Sequence, residues 1–132
     1  MKILSYILSP IFALVFFLLL LIFHPIQWLG LHLFGYKGHK FVVDHMNWFL
    51  MKSLLVIGVN VSLKNKYQIP KNETIIFVSN HQSMFDIPPI IWFFRKHHPK
   101  FVSKIELGKG IPSISFNLRN GGAALIDRKD SK

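Results

Sequence analysis

The chain has no cysteine, which excludes disulfides, thiolate nucleophiles and any zinc site built on sulfur, and fits a reducing compartment. Acidic residues are few, with six Asp and Glu against 16 Lys and Arg and a net charge of +10. Such an excess raises the question of a nucleic-acid partner. The one dense basic cluster, Arg95-Lys96-His97-His98-Pro99-Lys100, is accompanied by no helix-turn-helix, finger or aromatic stacking platform, and the other cations are dispersed. Nucleic acid is therefore set aside. His97 and His98 read as solubilising residues of a surface loop, with no metal role. No segment is repeated and none is of low complexity.

Charge is also missing from Ile3 through Tyr36, where there is no Asp, Glu, Lys or Arg, and Ile11 to Phe23 holds only alanine among large apolar side chains. This is lipid-facing composition. A helix from Ile3 to Phe23 is about 31 Å long, close to the hydrocarbon thickness of a bilayer. Pro10 either kinks a single span or starts a shorter helix that dips into the membrane before Pro25 turns it. A cleaved signal fits poorly, because no Ala-x-Ala site follows and Phe23 to Trp28 is bulky. Trp28, Tyr36, Lys37 and Lys40 read as an interfacial belt, and if the segment spans, Lys37 and Lys40 slightly outweigh Lys2 and the terminal amine, which puts the remainder of the chain in the cytoplasm. Beside such a segment the natural partners of the basic surface are anionic membrane lipids, each nearby cation contributing roughly 1 kcal/mol.

Residues 1–58 form the membrane-associated helical part, and 59–132 an α/β part. In the first, Phe41 to Gly58 is a second candidate helix, apolar around a wide arc with Asp44, His45 and Lys52 on one narrow side. In the second, Val59 to Lys64 alternates as a half-exposed edge strand, Tyr67 to Glu73 is a polar turn, and Thr74 to Ser79 reads as a strand buried on both faces. Phe101 to Ser103 is a short strand, and Ala123 to Ile126 another buried one, expected to lie parallel to Thr74 to Ser79. About 75 residues are marginal for an independent core.

Asn80-His81-Gln82-Ser83-Met84-Phe85-Asp86 follows the Thr74 to Ser79 run directly. Pro88 and Pro89 fit only in the first turn of a helix, so the helix must begin near Asp86 and run through Phe94. His81 then sits in a strand-to-helix turn, where open α/β sheets place their ligands. An imidazole and a carboxylate five positions apart suit a general base and the group that orients it. The plainer alternative is a loop histidine with Asp86 as a helix N-cap. The other histidines lack the spacing of metal ligands, so no metal is expected.

Two further blocks follow in order: Lys104-Ile105-Glu106-Leu107, with Gly108 and Pro112 after it, and Ile126-Asp127-Arg128 at a strand end. Together with Asn-His-x4-Asp they resemble the glycerolipid acyltransferase family that includes the 1-acylglycerol-3-phosphate acyltransferases, over about Val59 to Lys132. The resemblance implies an incomplete acyltransferase-like α/β sheet with flanking helices behind a hydrophobic membrane helix. It implies one-step acyl transfer, without a cofactor, from a thioester of coenzyme A or acyl-carrier protein to the free hydroxyl of a lysophospholipid, lysophosphatidate first. His81 is then the base and Asp86 its orienter, with Asn80 and Ser83 beside the substrate and Arg128 on the acceptor's phosphate. Ser83 also suits a turn or cap. Glycerol 3-phosphate or another lysophospholipid as acceptor, and a non-catalytic basic membrane module, are the competing readings. The family's later Glu-Gly-Thr-Arg block has no counterpart here, and Asp130-Ser131-Lys132 reads as the start of a polar loop, so the chain is expected to be the amino-terminal piece of a longer enzyme.

Overall fold

The computed structural model describes residues 2–65, 67–70, 73–127 and 129. Its longest element is α1, Lys2–Ser53, which is broken at Gly35 (φ 63°, ψ −155°). Only glycine adopts that conformation without steric cost. The break folds the helix into a hairpin whose arms are residues 2–34 and 36–53. Phe12, Phe16 and Leu20 of the first arm share one core with Met46 and Leu50 of the second and with Leu54 just beyond it. Gln27 donates to Met46 Sδ at 2.9 Å. Near the apex, Gly30 and Gly38 let the two backbones touch.

The turn is therefore at Gly35, and the expectation that Pro25 turns the chain is corrected. Pro25 lies inside the helix, where it removes one backbone donor and disturbs the carbonyls of the preceding turn. Close by on the same arm, Leu20 O accepts a 2.6 Å hydrogen bond from Ser113 Oγ, and Ser113 N donates to His24 Nδ1 at 3.0 Å. Ser113 is fully buried with φ 60°. Its unfavourable backbone is held by these two bonds to the first arm. The second arm agrees with the helix expected over 41–58, ending in a 3-10 turn, Leu54–Ile57, closed by Gly58 at φ 76°.

Beyond the hairpin come α2 (Ile87–Phe93), β1 (Val102–Lys104), α3 (Ile114–Asn120) and β2 (Ala124–Ile126). The strands are parallel, with Val102 opposite Ala124 and Lys104 opposite Ile126. The intervening residues and α3 provide the long crossover that a parallel pair requires. This pairing corrects the expectation that Ala123 to Ile126 lies beside Thr74 to Ser79. Neither Val59 to Lys64 nor Thr74 to Ser79 is a strand, and Ile76 and Val78 are 85% and 91% exposed. The apolar run has strand composition, but a ladder needs a neighbour, and none lies beside it among the described residues. The chain as a whole is thus mostly helical, chiefly through α1, and its sheet among the described residues is one parallel pair.

The apex of the hairpin is tied to the amino ends of both strands. Tyr36 Oη donates to Gly121 O at 3.2 Å and lies 3.1 Å from His98 Nε2, while Lys100 Nζ reaches Tyr36 Oη, Gly121 O and His98. His98 is consequently no solubilising loop residue. Burial, then the Lys100 and Lys40 charges, lower its pKa to about 4, so the ring stays neutral and can accept from lysine. A periodicity reading misses this contact because its partners are 62 residues apart.

Candidate active site

The turn that carries His81 and Asp86 is built by capping. A 3-10 turn, Met84–Asp86, leads directly into α2, and Pro88 and Pro89 occupy the first helical turn, as the sequence requires. Ser83 Oγ accepts the Phe85 N–H at 3.3 Å. In return Asp86 Oδ2 accepts the N–H groups of Ser83 and Gln82, both at 2.9 Å. The side chains of Ser83 and Asp86 thus satisfy donors that the start of a helix leaves without partners.

The same carboxylate oxygen faces the histidine. His81 Nδ1 lies 3.4 Å from Asp86 Oδ2, with the imidazole 62% and the carboxylate 38% exposed. The Asp86 pKa is lowered, first by the Ser83 N–H, then by the Gln82 N–H, and to a smaller degree by His81, against a modest opposing effect of burial. The carboxylate therefore remains ionised well below neutrality. With Nδ1 turned toward it, Nε2 is the ring atom left to exchange a proton with a ligand. The two alternatives for Asp86, orienter and helix-start acceptor, are compatible, because one oxygen performs both.

Phe85, between the two residues, fixes where the turn sits. Its ring packs edge-on against Phe12 and Phe16, each at 5.1 Å between centroids. Hydrophobic burial thus anchors the turn to the first arm of α1. Sequence reasoning passed over Phe85. A large aromatic enclosed between two polar motif residues is the available signal, though its partners, some 70 positions away, are not.

The remaining predicted site residues are placed less closely. Asn80 is exposed, and Ser83 is half-buried with its hydroxyl engaged in the cap. Arg128 lies outside the described residues. Its neighbour Asp127 follows the carboxyl end of β2, beside the end of β1 from which Ile105–Gly108 departs. Lys104-Ile105-Glu106-Leu107 and Ile126-Asp127 therefore lie together at the carboxyl end of the strand pair. Gly108 packs closely there, where a Cβ would meet Leu125 Cδ1 at 3.0 Å and press that side-chain tip aside. Among the described residues, no three of His, Asp or Glu are grouped to hold a metal.

Because Ser83 contributes its oxygen to a cap, Ser83→Ala should cost about 1 kcal/mol of stability. Any activity of the site should stay within a few-fold of the parent. Thermal unfolding and a rate measured on the same preparation check both; a rate falling to that of a His81 variant would make Ser83 a reacting group.

Among known proteins, a sequence model of the family described as Acyltransferase matches residues 60–132. No curated protein and no solved structure matches the chain.

Proposed function

The chain belongs to the glycerolipid acyltransferase family, and from that premise we propose that it transfers a fatty acyl group from a thioester to the free hydroxyl of lysophosphatidate, giving phosphatidate. The observation that carries the reading is the His81 Nδ1 to Asp86 Oδ2 contact, with Oδ2 held by two backbone donors. In this mechanism His81 Nε2 takes the proton of the acceptor hydroxyl as its oxygen attacks the thioester carbonyl. The tetrahedral intermediate collapses with rupture of the carbon–sulfur bond, and the proton passes from Nε2 to the departing thiolate. Asp86 holds the imidazole in the required tautomer and stabilises the transient imidazolium. The acceptor is itself the nucleophile, so no serine ester is formed.

Arg128 is assigned to the acceptor phosphate, which its planar fork of donors matches. Asn80 lies beside the reacting groups in sequence and is assigned to substrate. The donor is a thioester of coenzyme A or acyl-carrier protein. Assay of the intact protein with such a thioester should show thiol release that depends on lysophosphatidate, with phosphatidate as product. Release dependent instead on glycerol 3-phosphate or on another lysophospholipid would reassign the acceptor, and release with none would leave a basic membrane-associated module. Arg128→Ala should raise the apparent KM for the phosphorylated acceptor far more than that for the thioester, since the guanidinium grips only the non-reacting end of the acceptor. Equal weakening toward both substrates would give Arg128 a purely structural role.

Attachment is part of the proposal. Residues Leu4–Ile57 are long and apolar enough to cross a membrane. The α/β part, however, touches the hairpin from Phe12, through Phe85, to Tyr36, through His98 and Lys100. A perpendicular span would draw those polar groups into hydrocarbon, at high cost. A hairpin seated along one leaflet by its uncovered face, where Ile11, Leu14, Leu18, Leu21 and Leu33 are exposed, avoids this. The net charge of +10 suits the anionic lipids of a cytoplasmic leaflet, to which the site is assigned.

A further inference from the structure

The touching glycines of the hairpin leave a hollow beside them. Gly38 meets Gly30 so closely that no side chain can fill the crossing. The space flanking it, about 390 Å³, is a groove lined by Ile26, Leu29, Phe34, Phe41 and Val42 and the two glycines. That is within the size range of small-molecule sites, roughly 300–1,000 Å³. Its walls are apolar, and it opens to the outside, since Ile26, Leu29, Phe34 and Phe41 are all exposed. It is therefore neither a packed seam nor a cavity for water, which requires polar partners.

The charge around its rim selects an occupant. Lys37 is exposed and adjoins Gly38, one helical turn before Phe41, so it stands at the apex end of the row that lines the hollow. Lys40 is already held by Asp44 at 2.5 Å. Lys100 is occupied by Tyr36, Gly121 and His98. Lys37 is thus the rim cation to which no protein partner is assigned among the described residues. An apolar slot ending at an exposed ammonium is complementary to a hydrocarbon chain that ends in a phosphate.

The slot is also remote from the chemistry. Phe85 fixes the His81 turn at Phe12 and Phe16, and the rise from Phe16 to Ile26 alone is about 15 Å. A lipid whose phosphate is held at Lys37, at the apex, therefore has its headgroup away from the His81 turn.

We propose that the Gly30/Gly38 hollow binds one acyl chain of a resident anionic diacyl phospholipid, with its phosphate at Lys37. This rests on the membrane attachment proposed above and adds a specific lipid site to it.

Two measurements on the intact protein separate the claims: flotation with vesicles of phosphatidylcholine alone or mixed with phosphatidylglycerol, and native mass spectrometry after detergent extraction from the mixed vesicles. We expect one phosphatidylglycerol retained per chain. Leu29→Trp, which fills the slot, should weaken retention about tenfold while flotation persists. Lys37→Gln should retain the lipid with an about fivefold smaller preference for phosphatidylglycerol over phosphatidylcholine. Flotation without any retained lipid, or retention unchanged in Leu29→Trp, would overturn the lipid site and leave membrane attachment standing. Failure to float would remove the attachment itself. A crosslinked pair of chains through Leu29 would give the slot to a second copy, and displacement of the lipid by turnover of a lysophospholipid would make it a substrate channel; either result overturns the proposal.

Discussion

Replacing His81 with alanine is expected to lower acyl transfer by at least about 10²-fold, with flotation on vesicles unchanged. The exposed apolar residues of the hairpin and the caps of the turn remain intact in that variant, so a folded, bound and inactive protein is the expected outcome. Asp86 requires a different substitution, since its Oδ2 accepts from Gln82 and Ser83 while facing His81. Asp86→Asn keeps an oxygen for those donors and loses the charge. Its rate should fall by about 10²-fold or more, because imidazolium stabilisation is lost, while unfolding shifts only slightly. Near-normal turnover in Asp86→Asn would confine the residue to capping.

The pH dependence of stability supplies a separate check on the carboxylate. Its folded pKa lies below the unfolded value, so Asp86 contributes stability above the ordinary carboxylate range and loses that contribution as pH falls through the lowered folded value. Unfolding of the parent and of Asp86→Asn should therefore converge in acid. A gap that persists at low pH would deny the charged cap.

Gly38→Ala is expected to loosen the hairpin, even though alanine is the better helix former by about 1 kcal/mol. Sterics decide against propensity here. The new Cβ would overlap both Gly30 O and Phe34 Cβ. A backbone carbonyl cannot rotate aside as a side-chain tip can, so the arms must part. The net loss should be about 1–3 kcal/mol, read as a lower unfolding midpoint in detergent and faster proteolysis. Gly30→Ala is the comparison, because its nearest neighbour is Val42 Cγ2 at 3.0 Å, and its effect should be smaller. A Gly38→Ala protein at least as stable as the parent would show that the arms do not meet there.

Local chemistry was readable from the sequence, and distant partners were not. Pro88 and Pro89 dictate a helix start, which in turn places His81 and Asp86 in one turn whatever surrounds them. The uncharged stretch to Tyr36 identifies the apolar helix equally well. The hairpin, however, is decided at Gly35, an inconspicuous glycine among apolar residues, while Pro25, the more obvious breaker, is accommodated. Thr74 to Ser79 shows the converse failure: β-branched and aromatic composition records suitability for a strand, and the ladder depends on a neighbour that composition does not supply. His98 and Ser113 could not be assigned either, since each acquires its role from the hairpin, across 62 and 89 or more positions respectively.

The Phe85 contact has a practical consequence for anyone seeking a detergent-free version of this enzyme. Trimming the greasy leader is the usual first step toward a tractable sample. Here it would strip Phe12 and Phe16 from beneath the ring that sits between His81 and Asp86, leaving that turn without its footing. A trimmed protein that stays in solution yet shows no turnover would then say nothing against the histidine. Loss of activity on trimming would report a missing buttress, and solubility is better sought by recolouring the outward positions, Leu14 or Leu18 among them, than by removing the helix.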